Sequence, residues 1–214
     1  MAKFERARKP EEKEARRQAI FKAARKLLGE VGSAGFSLNE LARRSGVSKP
    51  NLYRYFESRE EVLLQLWVEE VRVLTESLEV SIQSLRKNDV RGVVAGIVEG
   101  FVARPQLCEL TSVSTALERN LSAEAIVTAK LTLKELTLRT AALLHGRLPT
   151  IAREDCVWAS GTLATWVAGV WPRAHPDAAV REALSRPELA EMRIDFPRDF
   201  TRFLEVLLRG LKAS

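Results

Sequence analysis

Lys49, Asn51, Tyr53, Arg54 and Tyr55 stand within the short stretch GVSKPNLYRYF, residues 46–56. An ammonium and a carboxamide at this spacing can read base edges in a DNA major groove, where Lys suits guanine and Asn pairs bidentately with adenine. Phenol hydroxyls and guanidinium groups suit phosphate oxygens, and the aromatic faces of Tyr53 and Tyr55 suit sugars or thymine methyls. Arg59, just beyond, offers a second phosphate cation alongside Arg54. Upstream, Ser37 opens a helix whose free amides can hold a phosphate. The same residue types also have a packing use. Leu52 and Phe56, with one of the two tyrosines, fit the inner face of a small helical domain.

The elements that must position these residues are helices. Ile20, Ala24, Leu27, Leu28 and Val31 recur at helical spacing. GEVGSAG then ends the helix, with Gly29, Gly32 and Gly35 able to take positive φ. Those glycines follow a helix rather than a strand, so they form no dinucleotide-binding loop. Ser37 and Glu40 make an S-x-x-E capping box that opens a short helix with Leu38, Leu41 and Ala42 on its apolar side. Ser45-Gly46 closes it. Ser48 can cap a third helix, with Pro50 tolerated in its first turn. Ser58 and Glu61 repeat the capping box and open a long helix carrying the stripe Leu63, Trp67, Val71, Leu74 and Leu78. Helix, glycine-containing turn and short helix over 37–45, 45–48 and 48–56 make a helix-turn-helix, which lays its second helix in the major groove.

On G-F-S-x-x-E-L-A, then S-G-V-S, then L-Y-x-Y-F before a charged residue opening a long helix, residues from about 14 to 62 resemble the DNA-binding domain of the TetR family of repressors. The resemblance implies an all-helical homodimer, a double-stranded DNA operator with two-fold symmetry, and a C-terminal domain that binds a small-molecule effector. It also implies DNA contacts at Ser37, Asn39, Lys49, Pro50, Asn51, Tyr53, Tyr55 and Arg59. Arg59 stands where the family often has Lys, and either cation serves a phosphate.

The charge distribution agrees. Of the net +6 on 214 residues, residues 1–60 carry +7 and the remainder −1. That asymmetry indicates an anionic partner for the N-terminal part, nucleic acid first and a membrane surface second. Lys3, Arg6, Arg8 and Lys9 form a basic arm within residues 1–12 that either touches DNA or is a solvated tail. The alternative reading is a helical small-molecule sensor whose basic N-terminus binds an acidic membrane or protein surface. Cys108 and Cys156 form no CxxC and read as buried free thiols. The charged N-terminus has no apolar signal core, and a cytoplasmic protein is expected. CVWASGTLATWVAGVWP, 156–172, is uncharged but short for a membrane span and holds Ser160, Thr162 and Thr165, so it reads as a buried helix. His145 and His175 are isolated, and no metal-ligand spacing, nucleophile elbow or P-loop occurs. No cofactor, no metal and no enzyme activity are expected.

The fold class expected is all-α, with a three-helix helix-turn-helix domain over 1–60 and a larger helical regulatory and dimerisation domain over 61–214. Further helices are predicted over about 89–104, 106–119, 122–146, 150–171 and 197–212, joined late by a Pro-punctuated segment with room for a short helix. Gly92, Gly96 and Gly100 suggest close helix packing. Effector-binding candidates are the polar residues of apolar helices, Thr111, Ser114, Thr115, Glu118 and Thr162, with Phe101, Trp166 and Trp171 as walls. Dimer candidates are the small residues Gly161, Thr165 and Gly169, and the stripe Phe200, Phe203, Leu204, Leu207, Leu208 and Leu211. The resemblance places dimerisation on the last two long helices.

Overall fold

The computed structural model describes residues 10–213, and the arm residues Lys3, Arg6, Arg8 and Lys9 lie outside them. The described residues form helices and loops, with no strand. Helix α1 (Pro10–Gly35) contains a break at Gly32, whose φ of 67° lies in the left-handed region open to glycine at low cost. The helix therefore resumes for a few residues beyond the predicted stop. Val31, expected on the inner stripe, is 43% exposed beside this break.

Helix α2 (Leu38–Ser45) starts on Ser37, whose Oγ accepts from the Glu40 amide at 3.3 Å. Only half of the expected capping box forms, because the Glu40 carboxylate turns to Arg43 and Arg44. Gly46, at φ 66°, ends the helix. Helix α3 (Lys49–Leu52) is a single turn prolonged by bonds from Tyr55 and Phe56 back to Leu52. Ser48 does not cap it through its side chain as expected; its carbonyl instead accepts from Asn51 and Leu52. Helix α4 (Arg59–Gln83) starts on Ser58, which accepts from the Glu61 amide at 3.1 Å. The Glu61 carboxylate reaches back one residue farther than a capping box requires, to the Glu57 amide.

Six α-helices and a 3-10 turn follow: α5 (Val90–Val102), α6 (Pro105–Glu118), α7 (Ala123–Arg147), α8 (Arg153–Ala174), α9 (Ala178–Leu184), the 3-10 turn Pro187–Met192, and α10 (Phe196–Ala213). The expected close approach of α5 is present. A Cβ at Gly96 would lie 3.1 Å from Ile82, and one at Gly100 would lie 2.8 Å from Leu74, both on α4. Helix α8 runs past its predicted end through Pro172, since a proline in the last turn forfeits few hydrogen bonds and Trp171 still accepts from the His175 amide.

One continuous core runs from Phe21, Leu41, Leu52 and Phe56 through Leu63, Trp67 and Leu78 of α4 to Phe101, Leu144 and Phe200. Helix α4 packs against α1, α5, α6 and α7, so it joins the N-terminal helices to the larger bundle. Helix α10 lies on α5 and α8. There Phe200 stacks on Trp166 at 4.7 Å and meets Phe101 edge-on at 5.3 Å. Among the described residues no helix is long and apolar enough to cross a membrane.

Candidate nucleic-acid interface and effector cavity

Packing sorts the residues of α3 and its following turn. Leu52 and Phe56 are buried, with the Phe56 ring 6.0 Å from Phe21. Tyr55 is half-buried against Phe56 at 6.4 Å, so it is the tyrosine that packs. Tyr53 is 50% exposed, and Lys49, Pro50 and Arg54 are exposed with it. Asn51 and Ser37 are half-buried and Asn39 is exposed. The result is a rigid apolar platform presenting a cation, a phenol and a carboxamide to solvent. Arg43 and Arg44 share the Glu40 carboxylate, and their hydrogen bonds hold it down at about 2.

Arg59, expected among the phosphate contacts, makes bonds within the protomer. Its guanidinium donates to the Ser33 carbonyl and, at 3.1 Å, to Glu60, while Nε is buried without a hydrogen-bond partner. The cation is consumed in holding the chain just after the α1 break. The Ser33 amide on the same residue donates to Glu109 of α6. A second tie joins Arg25 of α1 to the buried Glu70 of α4. The glycine-rich signal at 29–35 reads as the end of the first helix, and the break at Gly32 lies within it. Nothing in the spacing tied the break to residues 59 and 109.

Between α4, α5, α6, α7 and α8 lies a cavity of about 180 Å³, open on the α8 side where its lining residues Gly161 and Ala164 are exposed. Its walls include Trp67, Leu74, Leu78, Phe101, Leu107, Leu133, Leu136 and Leu163, with hydroxyls from Thr75, Thr111, Thr137, Thr140 and Ser160. A larger cleft of about 670 Å³ between α1, α4 and α7 is lined by five glutamates and two arginines, and it has the character of a solvated groove. Of the expected effector residues, Phe101 and Thr111 line the cavity. The others do not. Ser114 is buried and donates to the Thr111 carbonyl, Thr115 is exposed, and Glu118 pairs with Lys130 at 2.7 Å. Thr162 donates to the Trp158 carbonyl. Trp166 stacks on both Phe200 and Phe203, and Trp171 stacks on His175, because α10 covers that face of α8. Sequence reasoning missed Trp67, Thr137 and Thr140. The signal was available in threonines three apart on α7 beside Leu133 and Leu136.

The stripe expected at a dimer interface divides in two. Phe200, Leu204 and Leu208 are at most 2% exposed, so they have no surface left to give a partner and belong to the protomer core. Phe203, Leu207 and Leu211 are half-buried, and Val206 between them is 68% exposed. On α8, Gly161, Thr165 and Gly169 lie on the exposed side with Trp158, and a Cβ at either glycine would meet nothing within 4 Å.

Cys108 and Cys156 are free and buried, as expected, and burial pushes the Cys108 thiol up to about 12. Among the described residues no cluster of His, Cys, Asp and Glu could hold a metal ion. His145 Nδ1 donates to the Ile151 carbonyl at 3.0 Å, at the end of α7.

Residues 20–66 match the family described as bacterial regulatory proteins, tetR family. Residues 64–214 match the tetracyclin repressor-like C-terminal domain. The chain is 32% identical over 82 residues to the HTH-type transcriptional regulator EthR of Mycolicibacterium smegmatis, a stretch covering 38% of each protein. It is 28% identical over 99 residues to the HTH-type transcriptional regulator BetI of Agrobacterium fabrum, covering 46% of this chain and 41% of that one. The match thus spans less than half the length of either relative. Among solved structures, the regulator FadR of Bacillus subtilis in complex with stearoyl-CoA aligns with a TM-score of 0.58 at 18% identity, over 90% of this chain and 98% of that one. The repressor AlkX of a Dietzia strain, implicated in biodegradation of n-alkanes, aligns at 0.60 and 16%, over 92% and 95%. A regulator from Rhodococcus aligns at 0.66 and 15%, over 92% and 98%. At these identities the structures speak to fold, while the two family matches together span residues 20–214: the chain belongs to the TetR family.

Proposed function

We propose that this protein is a sequence-specific DNA-binding transcriptional regulator, a repressor that works as a homodimer on a two-fold symmetric operator and is switched by a small molecule. The observation that carries the reading is the exposed set Lys49, Tyr53 and Arg54, with Asn51 beside them, on the buried platform of Leu52 and Phe56. A single turn of helix bearing these groups matches what a major groove accepts, with Asn51 and Lys49 toward base edges and Tyr53 and Arg54 toward phosphates. A basic N-terminus on an acidic surface would leave Tyr53 and Asn51 without a role.

The effector site is the cavity around Trp67, Phe101 and Thr111. The stearoyl-CoA of the Bacillus subtilis neighbour supports an apolar effector here, although a cavity of about 180 Å³ is far too small for a whole acyl-CoA. Two routes lead from cavity to reading head. Helix α4 supplies wall residues and starts beside α3. Helix α6 supplies Leu107 and Thr111 and, between them, Glu109, which holds Ser33 at the α1 break.

Selection of bound fragments from genomic DNA with the purified protein tests the reading. A shared inverted repeat is expected among the bound fragments. Asn51→Ala should relax preference at particular base pairs, at a cost of about 1–3 kcal/mol. Binding without sequence preference, unchanged in Asn51→Ala, would refute it.

A further inference from the structure

We propose that the cavity selects an uncharged ligand with a compact hydrocarbon body and a single hydrogen-bond donor, such as a monocyclic phenol or a short-chain alcohol. The proposal rests on the reading of this cavity as the effector site. Three features of the wall carry it.

The first is charge. Among the described residues, no ionisable side chain lines the cavity. Two acidic residues of α4, Glu70 and Glu79, are already paired with Arg25 and Arg139. A carboxylate, phosphate or ammonium entering here would leave water without finding a counter-ion, which strongly disfavours it.

The second is the direction of the hydrogen bonds. Every hydroxyl on the wall donates its hydrogen to the carbonyl four residues back. Thr75 gives to Val71 at 2.9 Å, Thr111 to Leu107 at 2.7 Å, Thr137 to Leu133 at 2.8 Å, Thr140 to Leu136 at 3.1 Å, and Ser160 to Cys156 at 2.8 Å. The one indole N–H on the wall, Trp67 Nε1, is spent on Thr111 at 2.9 Å. The polar capacity left over is therefore oxygen lone pairs. A ligand donor gains a bond at Thr137 or Thr140 with nothing broken. A ligand acceptor gains one only by turning a hydroxyl hydrogen away from its helix carbonyl, with no net gain.

The third is size. An apolar cavity of about 150 Å³ accommodates benzene. The cavity here, about 180 Å³, accommodates a ring of that size with a few further atoms.

Calorimetric titration with three probes of nearly equal shape tests the proposal: 4-ethylphenol, its methyl ether 4-ethylanisole, and 4-ethylbenzoate, at neutral pH where the phenol is uncharged. The phenol should bind about fivefold to tenfold more tightly than the ether, and the benzoate about a hundredfold more weakly or not at all. Thr137→Phe and Ala164→Leu, each checked for native circular dichroism, fill the wall from two different helices, and either should abolish phenol binding. Preference for the benzoate that is lost in the filled variants would overturn the ligand class and leave the cavity as the effector site. Binding that survives both folded variants would overturn the site itself. Failure of all three probes to bind would overturn the proposal as a whole.

Discussion

The Arg59 guanidinium donates to the Ser33 carbonyl, and Lys49 stands free on the reading surface, so two cations ten residues apart call for different experiments. Arg59→Ala removes charge-assisted bonds from a half-buried junction and should lower stability by about 1.5–3 kcal/mol in urea unfolding. Lys49→Ala touches nothing in the fold. It should leave stability within about 0.5 kcal/mol and flatten the salt dependence of DNA binding by about one unit. The two buried thiols give a second prediction. Burial raises the Cys108 pKa to about 12 and raises that of Cys156, where neighbouring Asp155 adds to the effect. Both thiols should resist iodoacetamide at about pH 8 in the native protein and react at once in denaturant. A raised folded-state pKa means that this contribution to stability is intact below the ordinary thiol pKa and is lost as pH climbs toward 12. The native protein should therefore weaken above about pH 9.

Helix α5 meets α4 through its glycines, and the fit is tight enough to reverse the usual effect of Gly→Ala. Gly100→Ala sets a Cβ 2.8 Å from a Leu74 methyl and should destabilise by about 1–3 kcal/mol, softened where the leucine can rotate. Gly146→Ala, on α7 with nothing within 4 Å, should instead stabilise by about 0.5–1 kcal/mol. Opposite shifts in melting temperature would verify the pair. The order and approximate extents of these helices were legible in the sequence, because the apolar period, the serine caps and the prolines are local signals. The platform under Tyr53 was legible too, since Leu52 and Phe56 are large apolar residues on a short basic helix. What stayed hidden depends on partners distant along the chain. Glu40 abandons its cap for Arg43 and Arg44, Arg59 finds Ser33, and Trp166 finds Phe200. The cavity was half-legible: Thr111 and Phe101 carried the right residue types, but which apolar helix face meets a gap depends on how five helices cross.

At the scale of the whole molecule, one chain carries one reading head, and a two-fold operator needs two. The surface we propose for a second copy is the exposed side of α8 around Gly161, Thr165 and Gly169, with Phe203, Val206 and Leu207 on α10. A Cβ at Gly169 meets nothing within 4 Å, so Gly169→Leu should leave the fold intact and still yield monomers in sedimentation. Val206→Asp, at a position 68% exposed, should do the same. Folded dimers from both variants would move the interface elsewhere. The central claim, paired helix-turn-helix heads on symmetric DNA, is tested most directly by a hydroxyl-radical footprint on a duplex recovered by the selection. Two protected half-sites related by a two-fold axis are expected, with centres about 34–36 Å or a multiple of that apart, both lost in Gly169→Leu. A single protected site at full occupancy, or diffuse protection without half-sites, would contradict it.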